Sequence, residues 1–239
     1  MIRFNGVSAN ELGVSVKDIQ REVMPSFNII KYSNRGANGS RFVKRTIGER
    51  TVSVTMHIKG ANDLVELQRA VEGVARWLCV DEPKPLILGD RPDVYCLAIP
   101  TGGISLSQVN TYGEFTVDFL CLDSNVYSIN ETQLTLTSNG SFEYNGTLPA
   151  SWEMELSITS SLTEFTLVLG DSKLTLNGGY KSGDKLVIDS LGVVSYNGVK
   201  NNQRLTLKSK ANRLNLGVVS YSIPSGVNAT LKYRDTYIY

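Results

Sequence analysis

The chain has 239 residues, 41% of them hydrophobic and 20% charged, with a formal net charge of +1. That length allows one or two domains with real cores, and that balance excludes an intrinsically disordered chain. Each half is itself near neutral, which excludes a globally basic binder of nucleic acid or membrane.

Met1–Val16 reads as a short strand, a turn at Asn5-Gly6 and a second short strand. The opening MIRFNGVSANEL has no apolar h-region, which predicts no signal peptide. No run approaches the roughly 18 apolar residues of a membrane helix. Ser26–Tyr32 (SFNIIKY) is a predicted strand, and Ser33–Ser40 (SNRGANGS) is polar and glycine-rich, unsuited to the interior of an element. Phe42–Ile58 then runs extended, with Val52, Val54 and Met56 alternating against Thr51, Ser53 and Thr55. Two strands joined by a long polar tip describe a projecting hairpin. Its basic residues are Lys31, Arg35, Arg41, Lys44, Arg45 and Arg50, and Glu49 is its sole acid. Two readings stay open: a solvated tip, as charge runs usually are, and an arm that reaches a neighbouring subunit.

Ala61–Leu78 is the predicted helix. Asp63 followed by Glu66 resembles a capping box, and Leu64, Leu67, Val71, Val74 and Leu78 form one apolar stripe. Pro83 and Pro85 stop it. Strands are predicted at Pro85–Leu88 and Val94–Ile99, around a turn at Asp90–Asp93, then at Ile104–Val109 after Gly102-Gly103. Gly113–Leu122 is the strongest strand, with Phe115, Val117, Phe119 and Cys121 on one face. The turn-prone Asp123-Ser124-Asn125 follows it, so the predicted domains are 1–129, containing helix 61–78, and 130–239.

From Thr132 onward the pattern is all β, with short strands separated by turn signals, as in a sandwich. Trp152, Met154, Leu156 and Ile158 alternate, as do Phe165, Leu167 and Leu169, then Leu186 and Ile188. The predicted turns are Asn145-Gly146, Asn177-Gly178-Gly179, Ser182-Gly183-Asp184 and Asn197-Gly198, the Asn-Gly pairs suiting type I′ hairpins.

Little in the chain carries chemistry. His57 is the single histidine and lies in a strand pattern without recognisable partners, which argues against a His-rich metal site. No nucleophile elbow or phosphate-binding glycine loop is present. Glu153 and Glu155 share a strand face, but nothing marks the cleft a glycosidase needs. Trp152 has a sugar-platform reading, but its alternation places it in a core. Cys79, Cys96 and Cys121 sit in apolar runs and read as small core hydrophobes in a protein that folds in a reducing compartment. No catalytic residue, cofactor or metal is expected.

The chain resembles the distal tail protein (Dit) family of long-tailed, non-contractile bacteriophages. GEFTVDFLCLDSNVYS matches the family's last first-domain strand through Gly113, Phe119, Cys121, Asp123 and Tyr127. The family commonly has proline after that aspartate, where this chain has Ser124, a departure that bears on linker stiffness. EYNGTLPASWEMELSI, DKLVIDSLGVVSYNG and IPSGVNATLKYRDTYIY resemble the family's second-half entry, strand–turn–strand and ending, the last through Pro224, Gly226, Asn228 and Tyr233-Arg234. The match runs the length of the chain, in order.

The resemblance implies a mainly β protein: an N-terminal split-barrel-like β domain with one α-helix, and a C-terminal galectin-like β-sandwich. It implies a homo-hexameric ring at the phage tail tip, assembled in the host bacterial cytoplasm and carried in the virion. The ring would link the tail tube and tape-measure protein to the tail-associated lysin or fibre and the receptor-binding baseplate proteins, with DNA only passing through. It places the subunit contact on the hairpin, at Tyr32, Arg35, Arg41, Phe42, Lys44 and Arg45. The competing expectation is a carbohydrate-binding sandwich fused to an adaptor domain. That reading needs exposed aromatics beside a polar cleft, since fold alone does not establish sugar binding.

Overall fold

The computed structural model describes every residue except Pro25, Arg35, Ala37, Gly60, Ser124 and Tyr239, and the Val109 side chain. It is mainly β, with one α-helix, and divides into two compact units, Met1–Val126 and Tyr127–Ile238.

The first unit holds β1 (Ile2–Phe4), β2 (Val7–Ser8), β3 (Val14–Arg21), β4 (Phe27–Tyr32), β5 (Arg41–Ile47) and β6 (Arg50–Ile58). There follow α1 (Leu64–Leu78), β7 (Lys84–Leu88), β8 (Val94–Thr101), β9 (Leu106–Val109), β10 (Tyr112–Cys121) and the start of β11 (Asn125–Ser128). The main antiparallel sheet runs β2-β1-β7-β8-β10-β6-β3, with β9 on the beginning of β10. Asn5 and Gly6 both take positive φ in the β1–β2 turn, as a type I′ turn requires. β10 pairs residue for residue with β6, from Gly113 opposite Ile58 to Cys121 opposite Arg50. Its alternating Phe115, Val117, Phe119 and Cys121 are all buried, so one face of this strand meets the core as the period-2 pattern requires.

Helix α1 covers that face. Its N-cap is Asp63, whose carboxylate accepts from the Glu66 N–H at 2.7 Å. Glu66 reaches back to the N–H of Asn62 at 2.9 Å, not to that of the cap residue. Ala61 and Asn62 therefore lie outside the helix, three residues short of the predicted start. The buried stripe also differs: Leu67, Val74, Trp77 and Leu78 face inward, whereas Leu64 is 58% exposed. Trp77 is added because its indole N–H donates to the Phe4 carbonyl at 3.0 Å while its ring meets Phe4 edge-on. Phe4 in turn packs on Phe119, with ring centroids 5.1 Å apart. Gly113 makes the helix fit. A Cβ there would lie 3.1 Å from Leu106 and 3.2 Å from Leu67, tighter than ordinary contact. Leu67 is 1% exposed, so Leu67→Ala should lower stability by about 2–5 kcal/mol in denaturant unfolding. Unfolding that matches the parent would remove Leu67 from the core.

The second unit holds β12 (Thr132–Leu136), β13 (Asn139–Tyr144), β14 (Trp152–Ile158), β15 (Leu162–Leu169), β16 (Ser172–Tyr180) and β17 (Lys185–Asp189). It continues with β18 (Val194–Tyr196), β19 (Val199–Lys200), β20 (Gly217–Ser222), β21 (Val227–Tyr233) and β22 (Thr236–Ile238). A sheet ordered β12-β21-β14-β17-β18-β19 and one ordered β13-β20-β15-β16 contribute to one core. Every residue predicted to alternate inward on β14, β15 and β17 is buried. Asn197-Gly198 is a turn with both φ positive, as predicted. Asn177-Gly178-Gly179 is not a turn. It lies inside β16, where Gly178 and Gly179 together face the single Thr163 of β15 across a register shift. Asn145-Gly146 is not a type I′ turn either, since neither residue has positive φ. A Cβ on Gly146 would overlap the Tyr144 hydroxyl, so the glycine serves a close approach.

Candidate assembly surface

The hairpin is real and stands apart from the main sheet of the first unit. Strands β4 and β5 form a separate two-stranded sheet, pairing Phe27 with Ile47 at the base and Tyr32 with Arg41 toward the tip. The predicted run Phe42–Ile58 is broken at Gly48-Glu49, and β6 beyond the break joins the main sheet. Gly48 is the fastening point. Its N–H donates to the Ser26 carbonyl at 2.8 Å, and a Cβ would lie 2.5 Å from the Ser26 hydroxyl.

A register shift between Ile30 and Lys31 leaves Val43 as the extra residue of a bulge. Reading across the pairs, Phe27, Ile29, Lys31, Phe42, Arg45 and Ile47 share one face, and Asn28, Ile30, Tyr32, Arg41, Lys44 and Thr46 share the other. The Arg45 guanidinium lies 4.1 Å from the centre of the Phe27 ring, a cation–π contact that holds charge over apolar surface. Phe42 is 67% exposed, Ile29 60% and Tyr32 59%, and Ile30 and Val43 are exposed as well. No acidic residue occurs from Phe27 to Ile47. The sequence-predicted Tyr32, Arg41, Phe42, Lys44 and Arg45 are thus gathered on one ribbon, while Arg35 lies outside the described residues. The run of exposed aliphatic side chains on both faces was missed in the sequence. FNIIKY resembles an ordinary half-buried strand until its partner is known.

An isolated two-stranded ribbon is marginal in water, and contiguous exposed apolar surface marks an interaction site. This ribbon combines both features with a uniform positive charge, a composition that can bury apolar side chains against a partner while its charges set the register.

The other candidate residues lie elsewhere. His57 pairs across the sheet with Glu114 and Ser15, and its ring stacks on Tyr112 at 5.6 Å. Glu114 accepts from Lys17 at 2.8 Å and from the Tyr112 hydroxyl at 3.0 Å. The Lys17 hydrogen bond, followed by that of Tyr112, holds Glu114 below the usual carboxylate range. Ser15 Oγ and His57 Nδ1 are buried without a hydrogen-bond partner, so the nucleophile–base contact of a hydrolase is not made there. Glu153 lies on the exposed face of β14, and Glu155 beside it is ion-paired with Lys232. Trp152 is 3% exposed and donates to the Asn212 carbonyl at 2.7 Å. It is a core residue, not a sugar platform. Among the described residues, no aromatic side chain of the second unit is exposed.

Residues 10–121 match the family model of the phage tail protein RIFT-related domain, and residues 145–237 match that of the siphovirus-type tail component, C-terminal domain. The two lie in the expected order and between them span most of the chain. The chain belongs to the siphophage distal tail protein family. The crystal structure of the Dit protein of phage SPP1, described as a hub of the adsorption apparatus in phages infecting Gram-positive bacteria, superposes with a TM-score of 0.85. The alignment covers 98% of each chain at 16% identity, so the likeness is one of fold. Two structures of the phage p2 baseplate in its activated conformation, with Ca and with Sr, align at TM-scores of 0.47 and 0.49. The first covers 93% of this chain and 90% of the other at 12% identity, and the second covers 92% and 90% at 11%. No curated protein sequence matches. As a Dit-family member the chain is a tail component of the virion, and its fold matches the two-domain architecture of SPP1 Dit.

Proposed function

We propose that this protein is the structural hub of the tail tip, with six copies closing into a ring through the β4–β5 arm. The observation that carries the reading is the ribbon itself: two short strands with apolar side chains open to solvent on both faces. A head-to-tail contact of one patch on another closes into a ring when the rotation allows. Phe42, Tyr32 and the neighbouring aliphatic side chains supply the apolar contact, and Arg41, Lys44 and Arg45 meet carboxylates of the next subunit. We assign ring formation to residues 1–129 and docking of tail-tip partners to the galectin-like sandwich of residues 130–239. The ring forms in the host cytoplasm and joins the tail tube and tape-measure end to the lysin or fibre and the receptor-binding proteins. Six copies of each docking surface turn weak contacts into strong attachment.

Sedimentation velocity across a concentration series tests this. A species of six subunit masses is the expected result. A chain that stays monomeric at every concentration, with its tail-tip partners added, would overturn the hub reading. The carbohydrate reading lacks its main requirement, because the second unit presents no exposed aromatic among the described residues.

A further inference from the structure

Two of the three cysteines, 25 residues apart in sequence, meet inside the first unit. Cys96 on β8 and Cys121 at the end of β10 are both buried, and their sulfurs lie 3.5 Å apart. The Cys96 sulfur also lies 3.8 Å from the Leu86 carbonyl. Arg50, opposite Cys121 in the β6–β10 register, is itself buried and places its positive charge beside both sulfurs. A cavity of about 20 Å³, lined by Arg50, Leu86, Val94, Cys96 and Val126 among others, reaches Cys96. That is room for one water-sized molecule. Cys79 is different: it caps the C-terminus of α1 and is exposed, against the expectation of three core cysteines.

We propose that Cys96 and Cys121 form a dithiol site that takes a two-electron oxidant of the peroxide class and closes into an intrachain disulfide linking β8 to β10. Three observations support it, and the first is the contact itself. The sulfurs are already in contact, and about 1.5 Å of approach brings them to the bonded distance of about 2.05 Å. Cys121 is the last residue of its strand, with exposed Leu122 after it, so the backbone can yield on that side. The pair also has a thiolate to offer. The hydrogen bond shared with Cys96 and then the Arg50 charge draw the Cys121 thiol down against the cost of burial, while the same sharing pushes Cys96 up. Coupled groups titrate as a unit, so the first proton belongs to the pair.

The chemistry balances with hydrogen peroxide as oxidant. The pair's thiolate attacks one peroxide oxygen, the O–O bond breaks, and hydroxide leaves with the proton the thiol gave up, forming water. The sulfenic acid so made is attacked by the second sulfur 3.5 Å away, the S–O bond breaks, and a second water departs. Two thiols are oxidised and one peroxide is reduced to two waters. A virion component meets oxidants that a reducing cytoplasm removes, so the link would form after release and leave folding undisturbed. It would tie the end of β10 to the sheet beside Val126, where the first unit ends.

The test uses the full chain carrying Cys79→Ser, which removes the exposed thiol. The folded protein is treated with hydrogen peroxide, unfolded, alkylated and digested for mass spectrometry. A Cys96–Cys121 linked peptide is expected, with a thermal midpoint raised by about 5 °C or more and returned to its starting value by a phosphine reductant. Recovery of both cysteines as alkylated thiols, or as separate sulfinic acids, would overturn the proposal. Cys96→Ser and Cys121→Ser should each abolish the peroxide-induced shift, and a shift persisting in either variant would overturn it equally.

Discussion

Replacing Ile29 and Phe42 together by aspartate should reduce the proposed ring to single subunits while leaving each subunit folded. Both side chains lie on the same face of the β4–β5 ribbon and are more than half exposed. In the free subunit they therefore contribute little to stability, and exposed substitutions of this kind fall within about 0.5 kcal/mol. In the proposed ring their loss would strike every contact at once. Anchoring aromatic and aliphatic residues at an interface contribute about 2–4 kcal/mol each when truncated, on the order of 30-fold or more per contact. Aspartate adds the cost of burying a charge. Neutralising Arg41, Lys44 and Arg45 should act differently. Exposed ion pairs are worth about 0–1 kcal/mol each, so the ring should persist with a weaker dependence on salt. Sedimentation velocity with circular dichroism distinguishes the cases. A double-aspartate variant that still sediments as the parent ring would remove the arm from the contact.

Trp152→Ala should destabilise the second unit by about 3–5 kcal/mol, the range for a large aromatic deleted from a core. Trp152 opens β14, is 3% exposed, and fixes the chain at Asn212 through its 2.7 Å indole hydrogen bond. The alanine variant loses the packing and this donor together. Trp152→Phe keeps most of the ring volume and loses only the donor, so it should cost about 1 kcal/mol from the hydrogen bond plus a small cavity term. Calorimetry of the second unit's transition gives both numbers. Equal effects from the two substitutions would mean that the hydrogen bond, not the ring, fastens β14 to the segment at Asn212.

Much of this architecture is legible in the sequence because it depends on neighbours along the chain. Period-2 alternation is a local property of a strand, so Phe115 to Cys121 and Trp152 to Ile158 declared their buried face before any partner was known. The Asp63–Glu66 cap was legible for the same reason, since the Asp63 carboxylate is satisfied three residues on by the Glu66 N–H, although the predicted start at Ala61 fell three residues before the observed one. The hairpin was legible as two strands around a polar tip, and Lys31, Arg41, Lys44 and Arg45 were correctly named on it, whereas Arg50, expected there too, lies buried on β6 of the main sheet.

Tertiary structure decided what long-range pairing decides. Leu64 and Trp77 exchanged places because the sheet beneath α1 offers Phe4 and its carbonyl at the far end of the helix, and leaves the near end to solvent. Gly178-Gly179 became part of β16 as its bulge, two positive-φ glycines facing the single Thr163 of β15, although the same letters also spell a turn. Ile29, Ile30 and Phe42 stayed exposed because β6, the next strand, turned at Gly48 into another sheet and left the ribbon uncovered. Cys96 and Cys121 met only because β8 and β10 lie side by side. Local patterns fix which face of an element is apolar. Which surface covers that face, or fails to, depends on contacts between residues far apart in the chain, and these exist only once the sheets have formed.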